Sequence, residues 1–591
     1  MWNTPQYQSK KKKSPHVGGS VWRVRLLFFF LFFAGILVLA RLFFLQVLSH
    51  EKWIALAENQ HNASLELAAD RGEIFMHDGE NDDRYPLAVN REYQTVFVVP
   101  RDVVEKDRVA LELSRILDIE AAEILDKLNL EDDPFEIIKK RLSDGEVAEI
   151  RTLKYKGVAL QGEKYRYYPA GELAAQVIGF ASLGAKGGAG GYGVEASLDE
   201  QLRGETGTLS QEKDASGRWI PLSDRTISHA SNGDSVTLTL DRVIQYETEK
   251  ILKDSVEQYQ ADRATAIVMD PQSGNILAMA SAPQFDPNNY SKEEDYSIFL
   301  NGAVSSAYEP GSIMKPITMA IGIEEGQVSP TTEYVDTGRV VEAGYTIRNA
   351  EDKVYGRSNM FHVLDQSINT GVIYVEKLVG NTLFGEYLKR FGFGERTGIR
   401  LPAELPGNLK NLQNTRSTIN FFTASFGQGI TATPIQMTTA YAALANGGRL
   451  LKPNIIDKVI HSDGSIEVTA PTVIRQVVSE ETSKAMGTML RSVVVSGHGK
   501  RADVPGYLVG GKTGTAQVAK TGSKGYEEGV SIGSFIGYAP IHDPKFVVLV
   551  KLDNPKNVEW AESSAAPTFG QIMKFLLEYA KVQPTEATTK P

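Results

Sequence analysis

The chain has 591 residues, 42% apolar and 23% charged, which suits several folded domains and excludes a largely disordered protein. It contains no cysteine, so disulfides, thiol nucleophiles and Cys-ligated zinc are ruled out. Of the formal charge of -10, the first 25 residues carry +6 (Lys10 to Lys13, Arg23 and Arg25) and the rest about -16, which argues against nucleic acid as a partner of the main body. The nine histidines lack metal-ligand spacing, so no metal or other cofactor is expected.

Residues 1–20 read as a polar, basic tail. The apolar run Leu26 to Ala40, extended by its flanks to about 21–47, reaches the length of a membrane-spanning helix. No small-x-small cleavage site comes after it, so it reads as an uncleaved anchor. The lysines ahead of it place the N-terminus in the cytoplasm and export the chain beyond residue 48. Arg41 near the far end can snorkel to the interface.

Glu51 to Leu67 reads as a helix or extended stem. Next come an Asp78-Gly79 turn and the alternating strand Tyr93 to Val99, then helical patterns over about 103–128 and 134–153. Gly184 to Gly193 reads as a flexible loop. Nothing in 49–230 looks catalytic, which leaves a supporting module over about 48–233. A strand at Ser235 to Leu240 leads to Asp241, placed to cap a helix. Arg263 to Asp270 and Asn275 to Ala282 predict a hairpin around a Pro-Gln-Ser-Gly turn. The chain is then largely helical from about 313 to 447. Strands return at Tyr507 to Val518 and Ser531 to Leu552, and a helix over about 566–582 closes the domain. Strands at both ends of a helical middle indicate one α+β domain over 234–582 whose sheet joins its termini, with a short tail at 583–591.

Three motifs in this domain carry chemistry: Ser312-Ile-Met-Lys315, Ser367-Ile-Asn369 and Lys512-Thr-Gly514. Each pattern has decoys. Ser-x-x-Lys recurs at Ser9–Lys12, Ser49–Lys52 and Ser210–Lys213, in the basic tail, beside the apolar segment and in a polar linker. Only Ser312 follows a Pro-Gly turn and opens an apolar helix, which sets Lys315 one turn away on the same face. A lysine desolvated there can accept the serine proton, and the helix start favours developing negative charge. Ser273-Gly-Asn275 is turn chemistry, whereas Ser367-Ile-Asn369 closes a helical stretch. The Ser367 hydroxyl can pass a proton to an amine, and the Asn369 amide can hold a peptide bond. His362 nearby reads as a packed or surface residue. Lys520-Thr-Gly522 sits in a loop, but Lys512-Thr-Gly514 lies in a β-like run whose glycines would let a substrate backbone approach. Lys512, Thr513 and Thr515 can bind a carboxylate, with the backbone N–H groups of Ser312 and Thr515 as oxyanion donors.

The order of these motifs resembles the penicillin-recognising serine acyltransferases. Tyr308-Glu-Pro-Gly-Ser-Ile-Met-Lys-Pro316, Phe426-Gly-Gln-Gly-Ile-Thr-Ala-Thr-Pro-Ile-Gln436, Ala445-Asn-Gly-Gly448 and Ser534-Phe-Ile-Gly-Tyr-Ala-Pro540 are similar to class B penicillin-binding proteins. Arg71-Gly-Glu-Ile74, Arg166-Tyr-Tyr-Pro169 and the Glu195, Asp199, Gly204 spacing resemble that family's non-catalytic module. Two departures stand out: Met76-His-Asp-Gly79 replaces the usual Asp-Arg-Asn-Gly, and Ile313 stands where Thr is frequent.

The resemblance implies an N-terminal transmembrane helix, an elongated α+β pedestal (dimerisation-like) module, and a transpeptidase domain with an antiparallel sheet flanked by helices. It implies a peptidoglycan D,D-transpeptidase in the bacterial cytoplasmic membrane, acting on D-Ala-D-Ala stem peptides and acylated by β-lactams. Catalytic roles would fall to Ser312, Lys315, Ser367, Asn369 and Lys512, and substrate binding to Thr513, Gly514 and Thr515. The Tyr-Glu-Pro-Gly context and Gly392-Phe-Gly394 look more like the septal, cell-division type than the elongation type. A membrane glycosyltransferase and other division proteins are the expected partners. A β-lactamase would need a Glu-x-x-Leu-Asn motif between Ser367 and Lys512, which is missing. A penicillin-binding sensor usually carries more membrane helices and a cytoplasmic effector, and a scaffold role could coexist with catalysis.

Overall fold

The N-terminal helix α1 runs Gly18–Phe43 and continues as a π-helical turn, Phe44–Leu48. Within Val21–Leu48 an 18-residue window has a mean hydropathy of 2.6, and the side chains of that stretch face outward. At 1.5 Å per residue such a stretch is roughly 42 Å long, enough to cross a hydrocarbon core of about 30 Å with some tilt. The computed structural model describes residues 18–585, apart from 51, 54–61, 68, 80–82, 132, 183–187, 213–219, 221–224, 521–524 and 559. Most of the basic tail, the Ser9–Lys12 decoy, part of the glycine loop and the last residues therefore lie outside the described residues. The described residues form two compact units, one within 1–67 and 206–230, the other within 68–205 and 231–591. The first holds α1 and a small antiparallel sheet of Asn62–Leu67, Gly207–Glu212 and Arg225–Ser228, so the described end of the stem is extended.

In the second unit the long strand Arg84–Val98 pairs antiparallel with Val158–Tyr167, Glu136–Leu142 and Ile74–His77. Helices Lys106–Leu117 and Ala121–Leu128 bury Val109, Leu113, Leu117, Ile124 and Leu128. The helix expected over 134–153 is in fact a strand, Glu136–Leu142, and then a helix, Asp144–Leu153. Ser143 and Glu146 form a reciprocal capping box that starts the helix there, and the residues before it are free to join the sheet.

The family-like motifs of this region converge on one buried ion cluster. Glu195 takes hydrogen bonds from Arg71 Nε at 2.7 Å and Arg166 Nε at 2.6 Å, and Asp199 takes one from Arg71 at 2.8 Å. The departure at 76–79 still makes contacts: Met76 is buried, His77 lies 3.3 Å from Asp457, and Asp78 accepts from Arg242 at 2.7 Å.

Strand Ser235–Asp241 runs parallel to Ile74–His77 and antiparallel to Ile456–Ile460, so one seven-stranded sheet crosses the division expected between residues 233 and 234. Asp241 caps helix α2 (Arg242–Tyr259) by accepting from Val243 and Ile244 N–H, as expected.

The second sheet has strands β1 (Arg263–Met269), β2 (Ile276–Ala282), β3 (Gly510–Ala519), β4 (Tyr526–Ala539) and β5 (Phe546–Asp553), all antiparallel, in the order β2-β1-β5-β4-β3. The hairpin is present, and the sheet joins the two ends of the domain. β5 alternates between two cores: Val548, Val550 and Leu552 pack with Phe569 and Ile572 of the C-terminal helix Ala565–Tyr579, while Val547 and Leu549 face the core that holds Tyr441. The helical middle packs against the latter side, but it also contains two small hairpin-like pairs, Glu333–Asp336 with Gly356–Asn359 and Arg339–Glu342 with Tyr345–Arg348, that periodicity does not reveal.

Candidate active site

Ser312 lies in a 3-10 turn, Gly311–Met314, that passes directly into α3 (Lys315–Glu324). With three residues per turn, positions i and i+3 eclipse, so the turn sets Lys315 in line with Ser312 on one face. Pro316 falls in the first turn, where its missing N–H costs little. Gly311 has φ +59, and a Cβ there would sit 3.2 Å from Thr515 O; the backbones of the serine turn and of β3 are in close approach.

Lys315 is buried, with 1% of its surface exposed. Its Nζ donates to the Ser367 carbonyl and, at 3.1 Å, to the Ser367 hydroxyl. Burial pushes its pKa well below the ordinary lysine value, and the Lys512 cation pushes the same way. Ser367 sits between the helix Met360–Asp365 and helix α4 (Asn369–Val379), at φ +55, a rare conformation for a residue with a side chain. That kink turns both its oxygens toward Lys315. The Asn369 amide lines the same cleft and donates to Arg348 O at 2.9 Å. His362 is not in the cleft lining; it hydrogen-bonds Ser358 at 3.0 Å and packs on Tyr355.

β3 is the edge strand of its sheet, with β4 on one side only. Thr513 and Thr515 line the cleft, while Lys512 and Gly514 are buried. Lys512 Nζ donates to Thr513 O at 3.2 Å and Thr513 Oγ1 at 3.3 Å. Burial brings its pKa down to about 7 against the opposing pull of Asp365 and Glu562. Gly514 also serves the protein's own packing. A Cβ there would meet Ser534 Oγ at 2.8 Å and Pro310 O at 2.9 Å, so its lack of a side chain lets β3 lie against the serine turn.

The cleft holds about 270 Å³ and brings together Ser312, Lys315, Ser367, Asn369, Thr513 and Thr515. It also contains Gln428, from the 426–436 motif, and residues that no motif signalled, among them Glu351, Tyr355, His498, Trp560 and Glu562. His498 Nδ1 lies 3.0 Å from Glu562 across a gap of 64 positions. The segment bearing Glu351 and Tyr355 hangs on Asp336, whose buried carboxylate accepts from Thr370 Oγ1 (2.6 Å), Asn349 Nδ2 (3.0 Å), Tyr355 N (2.7 Å) and Gly338 N (2.9 Å). These hydrogen bonds outweigh its burial and hold its pKa below the usual carboxylate value. The only sequence signal for this set is its Asn and Asp content.

A desolvated lysine between two serines, facing a cationic edge strand, defines an acyl-transfer enzyme that works through a serine. Comparison with known proteins narrows this class. The penicillin-binding protein transpeptidase domain matches residues 264–574, and the penicillin-binding protein dimerisation domain matches 66–238. Stage V sporulation protein D of Bacillus subtilis is 35% identical over 95% of this chain and 86% of its own length. Peptidoglycan D,D-transpeptidase FtsI of Buchnera aphidicola is 28% identical over 98% of this chain and 99% of its own. The crystal structure of penicillin-binding protein 3 from Mycobacterium tuberculosis with aztreonam superposes with a TM-score of 0.69 at 28% identity, over 89% of this chain and 99% of that one. The chain belongs to the class B penicillin-binding proteins, and its enzyme class is peptidoglycan D,D-transpeptidase.

Proposed function

We propose that Ser312 is the nucleophile of this transpeptidase. Its Oγ attacks the carbonyl of the penultimate D-alanine of a stem peptide while Lys315 Nζ takes the hydroxyl proton. The negative oxygen of the tetrahedral intermediate rests on the backbone N–H groups of Ser312 and Thr515. The C–N bond then breaks, and a proton relayed through Ser367 reaches the departing terminal D-alanine, leaving an ester on Ser312. An amine from a neighbouring strand gives up a proton by the same route and attacks the ester, restoring Ser312 and forming the cross-link. Thr513 and Thr515 hold the terminal carboxylate, with the buried Lys512 supplying positive charge from behind Thr513, the exposed edge of β3 takes the peptide as an added strand, and the Gly514 backbone keeps that edge seated. Asn369 exchanges its bond to Arg348 for one to the peptide. The observation that carries this reading is the buried Lys315 bonded to Ser367 beside Ser312.

The further organisation is a cytoplasmic tail over 1–20, an anchor over 21–47, a pedestal over 48–233, a transpeptidase domain over 234–582 and a tail over 583–591. The catalytic domain lies outside the bacterial cytoplasmic membrane. We assign the enzyme to septal wall synthesis beside a membrane glycosyltransferase, and β-lactams acylate Ser312. The relative named for stage V of sporulation favours a second reading, wall synthesis during spore formation. Labelling with a fluorescent penicillin and peptide mapping tests the nucleophile: label on Ser312 and none in Ser312→Ala is expected, and label elsewhere defeats it. Depletion tests the role, with filaments supporting division, round cells elongation, and failure confined to spores the second reading.

A further inference from the structure

Glu309, three residues before the serine, is half-buried and has no place in the mechanism above. Its carboxylate joins three separate pieces of chain. Oε1 accepts from Gly429 N–H at 2.9 Å, and Oε2 accepts from the Tyr526 hydroxyl at 3.1 Å. Gly311 N–H donates to Gly427 O at 3.1 Å, so the 427–429 loop is tied to the serine segment at both ends. Gln428, between those ties, lines the cleft. Tyr526 opens β4 opposite Ala519, at the far end of the hairpin whose β3 arm carries Thr513 and Thr515. Burial raises the Glu309 carboxyl and the Tyr526 phenol, the latter to about 12, which suits a phenol that stays a donor.

We propose that Glu309 is a positioning residue that sets the substrate-facing walls of the cleft, holding Gln428 on one side and the far end of the β3–β4 hairpin on the other. This rests on the assignment of Ser312 as nucleophile. Glu309 touches neither Ser312 nor the two lysines, so its loss weakens substrate docking and leaves the reactivity of the serine intact.

The test uses the full-length protein and a D-alanyl thioester, whose turnover gives KM and kcat separately. Tyr526→Phe cuts only the hairpin tie, and KM should rise roughly fivefold, the worth of one hydrogen bond, with kcat within about twofold. Glu309→Ala cuts both ties and should raise KM further. Glu309→Gln keeps an acceptor for Gly429 and an amide near the Tyr526 oxygen, and should recover most of that loss. Adding Tyr526→Phe to Glu309→Ala should cost nothing more, because the tie is already gone. An unchanged KM in Tyr526→Phe overturns the proposal, as does a fall in kcat at constant KM or a Glu309→Gln variant as impaired as Glu309→Ala. Penicillin label retained in Ser312→Ala would defeat the nucleophile instead, so the two failures are distinguishable.

Discussion

The Lys315 side-chain nitrogen reaches the Ser367 hydroxyl at 3.1 Å from a position closed to solvent. Water cannot substitute for that lysine as a proton acceptor. Lys315→Ala is therefore expected to lower the rate of acylation by a fluorescent penicillin by about 10²- to 10⁴-fold, the range typical of a general base. The variant should keep its unfolding temperature, because burying the lysine amine is itself costly and its removal relieves that cost. Acylation near the wild-type rate would remove Lys315 from the mechanism.

After burial, Lys512 contributes to lowering the pKa of Lys315. Lys512→Gln takes a like charge away, which makes the cation at 315 less unfavourable and raises its pKa. The base form then appears at higher pH, so the acidic limb of acylation rate against pH should move upward. An unmoved limb would mean that the two lysines are not coupled.

Gly514→Ala places a methyl group 2.8 Å from Ser534 Oγ and 2.9 Å from Pro310 O, contacts that a fixed backbone cannot absorb. β3 must shift away from the serine turn, and a displacement of about 1 Å costs on the order of 10²-fold in rate. Penicillin acylation kinetics should show that loss while circular dichroism stays unchanged.

Asp336 sustains the cleft wall from a distance. Asp336→Ala leaves the amide of Asn349 and the N–H of Tyr355 without their acceptor, at a cost of about 1–3 kcal/mol for each buried group. Thermal unfolding should register the loss, and acylation should slow with it as the 349–355 segment loosens.

Glu195 answers to two arginines inside the pedestal. Glu195→Ala leaves Arg71 and Arg166 buried without that partner, and a loss of about 3–5 kcal/mol is expected, read as a lower unfolding temperature and faster proteolysis of the 68–205 region. A neutral outcome would mean that water enters the cluster.

How far the residues announce this structure depends on range. Asp241 ahead of Arg242, the turn at Pro271 to Gly274 and the Pro310-Gly311 break before Ser312 are local signals, and each produces the element it announces. Strand Glu136–Leu142 has a helical pattern but is a strand, because its identity comes from pairing with Arg84–Val98; the capping box at Ser143 and Glu146 marks where the helix begins. The cleft divides in the same way. Ser312, Lys315, Ser367 and Lys512 sit in short motifs, whereas His498 and Glu562 meet across 64 positions with no pattern joining them. Gly514 is visible as a glycine, but it makes room for the protein's own backbone, and only the fold shows that.

Because Ser235–Asp241 is hydrogen-bonded to Ile74–His77 on one side and Ile456–Ile460 on the other, the supporting module and the enzymatic one share an uninterrupted sheet. A chimera that exchanged pedestals between two related proteins at residue 233 would put a foreign strand into the middle of that sheet. Grafts of this kind should succeed only when residues 235–241 and 456–460 travel with the pedestal, so the natural unit of exchange is discontinuous in the gene.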